Sequence, residues 1–217
     1  MTKLKGILLT EGMHGMISQV EGLAKALDIN YSHHTVETKG FWKVIPPKFT
    51  PISDSVFKKI ECEDVDLIIS CGRKSIIPSL FLKKNSKKKV FNIHIQNPKI
   101  KLDNFDLVVV PEHDNLDGHN VLKTKGAIHY LTSEEIEKDK EYLFSISSKL
   151  RDKNIISLII GGPTQYYDYS DRNIQEIFSK VNYLVKENNL NLVVIPSMRT
   201  PKGTIEPVSY THLRAHE

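Results

Sequence analysis

Four turns that follow short apolar runs carry the side chains best suited to chemistry. The first, Thr10-Glu-Gly-Met-His-Gly-Met-Ile-Ser-Gln19, sets Gly12 and Gly15 at a helix start. Free N–H groups and the positive dipole end there suit a phosphate, although the two glycines could equally close a structural turn. His14 in this loop could act as a general base on an acceptor hydroxyl, or be a surface histidine. The second turn, Ser70-Cys71-Gly72-Arg73-Lys74, puts two cations at a helix N-terminus, where positive charge is unfavourable unless an anion neutralises it. Arg73 is therefore a ligand-contact candidate. The third, His94-Ile-Gln96-Asn97-Pro98, ends a buried run in two amides that could hydrogen-bond a polar ligand or tie the loop to itself.

The fourth, Val110-Pro111-Glu112-His113-Asp114, groups an acid, an imidazole and a second acid. General acid/base work is one reading and plain loop capping the other. His94, His113 and His119 lack zincin or zinc-ribbon spacing, and no metal site or cofactor is expected. Further along, Gly161-Gly162-Pro163 permits close approach of backbone or of a diphosphate, and Ser197, Arg199 and Thr200 follow the next strand on the same expected edge.

The elements that must hold these turns alternate between short β-branched runs and segments of helical period, the pattern of βαβ units around a parallel sheet. Strands are predicted at 4–10, 31–37, 66–70, 89–95 and 106–110, all read as central and covered on both faces. Helices are predicted at 17–27, 53–60 and 75–84, and a long one follows the capping-box pair Thr132 and Glu135. A new cycle then starts, with a buried strand at 155–160, a helix at 173–188 and a strand at 192–195. The fold class is thus α/β with two Rossmann-like domains, at 1–153 and 154–205. Two strands and one helix cannot close a core, so the second domain is read as incomplete. Residues 206–217 read as a non-native tail, and the helical spacing of His212 and His216 is given no metal role.

Composition excludes several classes. A chain of 217 residues with 40% hydrophobic and 26% charged content is an ordinary globular protein. The net charge of +4 comes without a basic stripe interleaved with stacking aromatics, which argues against nucleic acid. Two cysteines without a CxxC pair suit a reducing cytosol. No apolar run approaches the roughly 20 residues that span a bilayer, so any membrane association is expected to be peripheral.

Taken together, the turns resemble a family. The stretches are Gly12-x-x-Gly15-x-x-x-Gln19 with Gly22-Leu23-Ala24, Cys71-Gly72-Arg73, Ile95-Gln96-Asn97-Pro98, 105–114, 118–127 and Gly161-Gly162-Pro163. They are similar to the bacterial relatives of the plant mitochondrial-fission, or elongated-mitochondria, protein. The likeness runs from about residue 5 to about 203, and the departures are Asn97 for a more usual aspartate and Met198 for one of a paired arginine. It implies a twin-Rossmann, glycosyltransferase-B-like arrangement. The implied partners are a nucleoside diphosphate sugar and a lipid-linked or sugar acceptor, in the cytoplasm or peripherally at the inner membrane. His14, Glu112 or His113 would then serve catalysis. Gly12, Gly15, Gln19, Arg73, Gln96, Asn97, Asp114, Gly161, Gly162, Arg199 and Thr200 would contact ligand. The same resemblance also admits a non-catalytic adaptor for membrane remodelling.

Overall fold

The computed structural model describes residues 3–62, 64–164, 166–167, 169–197, 199–201 and 213–214. His212, His216, Met198 and most of the predicted tail lie outside the described residues. The chain divides into two units, Met1–Thr132 and Ser133–Glu217. This division falls before the long helix, whereas periodicity alone puts it at Asn154.

The first unit is a six-stranded parallel sheet, Rossmann-like, with helices against it. Its strands are β1 (Lys5–Thr10), β2 (Asn30–Thr35), β3 (Leu67–Cys71), β4 (Phe91–Ile95), β5 (Leu107–Pro111) and β6 (Val121–Thr124), in the order β2-β1-β3-β4-β5-β6. Pairing is parallel throughout, with Leu8 opposite Ile69 and Ser70 opposite His94. The strands β1, β3 and β5 bury nearly every residue, as a sheet covered on both faces requires. On one face α1 (His14–Ala26) lays Val20 and Ala24 against Leu8, Ile69, Ile93 and Val109. On the other, α2 (Ile76–Asn85) packs Ile76, Ile77 and Leu80 against Val108, Val110 and Phe105.

Within the first unit three elements depart from the sequence reading. β2, read as central, is an edge strand whose Asn-Tyr-Ser-His-His-Thr residues are exposed or half-buried; its backbone pairing with β1 forms it, not its side chains. The predicted helix at 53–60 is only a 3-10 turn at Asp54–Val56. Ser53 Oγ accepts from the Ser55 N–H, and Val56 and Phe57 are drawn into the core, so side-chain capping and burial outcompete helical propagation. β6 was not foreseen, because Val121-Leu122-Lys123-Thr124 is short and half exposed.

In the second unit, α3 (Ser133–Ile146) precedes β7 (Ile155–Ile160), α4 (Asp171–Glu187) and β8 (Asn191–Pro196). β7 and β8 pair in parallel through six residues each, and a two-residue strand, β9 (Leu213–Arg214), pairs with β8. The core of this unit is Ile160, Phe178, Leu192 and Val194. β7, read as fully buried, alternates exposed and half-buried positions until Ile160. Among the described residues no helix is long and apolar enough to cross a membrane.

Candidate functional site

In an open parallel sheet a crevice forms at the carboxyl ends of strands where the chain order reverses, and here the reversal lies between β1 and β3. The loop after β1 and the loop after β3 meet there through Glu11. Its Oε1 accepts from the Lys74 N–H at 3.1 Å and its Oε2 pairs with Lys74 Nζ at 3.0 Å, with the carboxylate side chain only 15% exposed. The anion that the cationic helix start demands is thus supplied within the chain. Gly72 holds φ at +93°, and a Cβ there would lie 2.7 Å from Met16 Sδ, so glycine is the residue this junction accepts.

With Lys74 neutralised internally, Arg73 turns elsewhere. Its Nη2 donates to the Lys43 carbonyl at 2.8 Å, and it lines a cavity of about 480 Å3 at the ends of β3 and β4. Gln96 and Asn97 line the same cavity, so three of the sequence-predicted residues come together. Gln96 leaves β4 with φ +87°, pinned by its N–H to the Val109 carbonyl at 2.8 Å. Such a backbone costs a non-glycine residue about 1–3 kcal/mol, and persists because the surrounding hydrogen bonds impose it. Asn97 Oδ1 accepts from the Lys99 N–H at 2.9 Å, so one face of this amide is spent on its own loop.

The cavity floor is His94, 1% exposed. Its Nδ1 lies 2.9 Å from Ser70 Oγ, and its ring stacks on Phe105 with centroids 5.0 Å apart. Burial lowers its pKa to about 3, so the imidazole is neutral at physiological pH and unsuited to carrying a proton there. Lys48 and Lys99 add two further cations to the lining, and among the described residues no carboxylate joins them. The result is a recess with three positive groups and two amides, chemistry that matches an anionic, oxygen-rich ligand.

The other predicted residues of the first unit are not part of the recess lining. Gly12 sits on the turn into α1, while His14, Gly15 and Gln19 lie in the first turns of that helix, with His14 and Gly15 exposed and Gln19 Nε2 donating to the Gly15 carbonyl at 2.9 Å. Glu112, His113 and Asp114 form a 3-10 turn after β5; His113 Nε2 stands 3.8 Å from Asp114 Oδ1, beyond a hydrogen bond, and its side chain is 75% exposed. Within the second unit, a Cβ on Gly162 would lie 2.3 Å from the Arg199 carbonyl oxygen. The close approach at that glycine is to the chain's own backbone. Thr200 Oγ1 stands 2.8 Å from the Ile160 and Gly161 carbonyls and accepts from the Ser197 N–H at 2.9 Å, tying the turns after β7 and β8 together. Among the described residues, no group of three or more His, Cys, Asp or Glu is placed to hold a metal ion.

A family model described as mitochondrial fission ELM1 matches residues 14–214. The chain belongs to the mitochondrial fission ELM1 family. That match extends past residue 203, where the sequence likeness was expected to end. Mitochondrial fission protein ELM1 of Arabidopsis thaliana is 35% identical over 48 residues, which is 22% of this chain and 11% of that protein. The chain therefore aligns with about a tenth of the length of this curated relative. No solved structure matches.

In this ELM1-family chain the sequence pointed to Arg73, Gln96 and Asn97 but missed Glu11, Lys48 and Lys99. Glu11 was not singled out, because its pairing with Lys74 depends on β1 and β3 becoming neighbours. Lys48 was not, because it lies in a stretch without periodicity that only the tertiary fold brings beside β4.

Proposed function

We propose that this ELM1-family protein binds a small anionic, hydroxyl-rich substrate at the ends of β3 and β4 and takes part in sugar transfer from a nucleoside diphosphate sugar. The supporting observation is the recess itself, with Lys48, Arg73 and Lys99 facing two amides and no acid. In such a transfer a base removes the acceptor proton while cations and helix dipoles stabilise the departing diphosphate. His14 and Glu112 are the proposed bases, exposed at the first position of α1 and on the 3-10 turn after β5. Arg73 is the proposed anion contact, and the Gly161-Gly162 turn and Arg199 are the proposed phosphate-side elements of the second unit.

The name of the Arabidopsis relative favours a second reading, a non-catalytic adaptor in membrane fission. Calorimetry separates the two. The full chain is titrated with UDP- and GDP-sugars, pyrophosphate and inorganic phosphate, in parallel with Arg73→Ala. A charge-assisted contact is worth about 1.5–3 kcal/mol, so saturable binding that weakens about tenfold or more in the variant supports the transfer reading. A folded protein that binds none of these probes shifts the assignment to the adaptor.

A further inference from the structure

The stretch between β2 and β3 carries a surface feature that neither the sheet nor the recess explains. Residues 39–52 read Lys-Gly-Phe-Trp-Lys-Val-Ile-Pro-Pro-Lys-Phe-Thr-Pro-Ile, with three lysines and no acid. Phe41 is 64% exposed, Val44 72% and Phe49 69%, three large apolar side chains within nine positions. Scattered single apolar residues are ordinary on a surface; a cluster of this density on one segment is not.

The segment is also built to hold them outward. Gly40–Lys43 is a 3-10 turn closed by the Val44 N–H to the Phe41 carbonyl, which puts positions 41 and 44 on one side. Trp42, between them, packs against the core cluster of Val56, Ile76 and Val108, and its ring lies 4.3 Å from that of Phe41. Arg73 clamps the Lys43 carbonyl. A second 3-10 turn, Pro47–Phe49, is fixed by Thr50 Oγ1 donating to the Pro46 carbonyl, and Lys48 Nζ lies 4.6 Å from the Phe49 ring centroid. A loop merely lacking a core would not spend a tryptophan anchor, a 3-10 turn and a second, proline-started turn to display phenylalanines.

We infer that residues 39–52 form a docking surface for an anionic lipid bilayer, with Phe41, Val44 and Phe49 entering the headgroup–acyl boundary and Lys39, Lys43 and Lys48 meeting lipid phosphates. Aromatic rings sit favourably at that boundary, and each lysine near an anionic surface adds attraction that salt screens. The flanking Glu37 pairs with Lys58 and also feels the Lys43 charge, and Lys39 Nζ donates to the Asp54 carbonyl, so the segment's own lysines set its charge beside the apolar side chains, a pairing that suits an anionic bilayer. The surface adjoins the recess, whose lining includes Pro46, Pro47 and Lys48 of the same segment. The inference stands on exposure and charge and does not require the transfer reading.

Co-sedimentation with vesicles tests it. The full chain is mixed with phosphatidylcholine vesicles and with vesicles containing phosphatidylglycerol, at low and high salt. Variants are Phe41→Ser with Phe49→Ser, and separately Lys43→Gln. Because these side chains are exposed, the variants should keep the wild-type melting curve. Expected are salt-sensitive binding to the anionic vesicles alone, an apparent affinity lower by about tenfold or more in the double serine variant, and a smaller loss in Lys43→Gln. No sedimentation of wild type with anionic vesicles at low salt overturns the proposal, as does unchanged binding by a folded double variant. Self-association in sedimentation velocity that vanishes in the double serine variant would assign the segment to a second copy of the chain and overturn it equally.

Discussion

His94 and Ser70 make a buried polar pair within the sheet, and the pair has a pH signature. In the unfolded chain His94 takes up its proton near 6.5, whereas burial in the folded protein lowers that to about 3. Between those values the unfolded state binds more protons, so protonation favours unfolding. The stability this residue permits is complete above pH 6.5 and is lost progressively as pH falls towards 3. Melting temperatures measured from pH 7 down to 4 are expected to fall more steeply in wild type than in His94→Gln, which cannot titrate but keeps a hydrogen-bonding side chain. The two thiols divide similarly. Burial, with help from the Glu11 charge, pushes Cys71 up to about 12, while Cys62 is exposed. A maleimide reagent at pH 7.5 should label Cys62 and leave Cys71 intact until denaturant is added, which mass spectrometry of the tryptic peptides resolves.

Among the elements, the turns after β7 and β8 depend on one missing methyl group. Gly162 admits the Arg199 backbone, and Thr200 Oγ1 joins both turns through the Ile160 and Gly161 carbonyls. Overpacking against backbone has no rotamer escape, so Gly162→Ala should destabilise the second unit by about 1–3 kcal/mol. Amide exchange read by mass spectrometry should show faster exchange in β7 and β8 and unchanged protection in β1 and β3. Uniformly faster exchange would mean that the two units do not open separately. The same elements show where periodicity reads well. β7 coincides with its continuous apolar run, and α4 with its amphipathic one, whose Ser170 cap accepts from the Asn173 N–H. The 53–60 helix failed because a serine pair and two inward-facing apolar residues bent the chain locally, which no 3.6-residue count detects.

At the scale of the molecule, the first unit contains three of the four core clusters found among the described residues and a sheet whose every strand lies between residues 5 and 124. A fragment of residues 1–132 is therefore expected to fold by itself, with a cooperative thermal transition followed by circular dichroism and the slow exchange of β1 and β3 retained. A fragment that melts without cooperativity would show that the first unit needs the second. What the sequence by itself determined is the alternation of strand and helix, the parallel α/β class, the family and the turns that carry Arg73, Gln96 and Asn97. Those follow from local pattern, since burial on both faces dictates continuous apolar strands and glycine marks the turns between them. Only the tertiary structure decided that β2 is an edge, that Glu11 neutralises Lys74, and that Lys48 completes the recess beside β4. Each of those depends on which strands become neighbours, and strand order is set by packing between segments far apart in the chain, which no local pattern encodes.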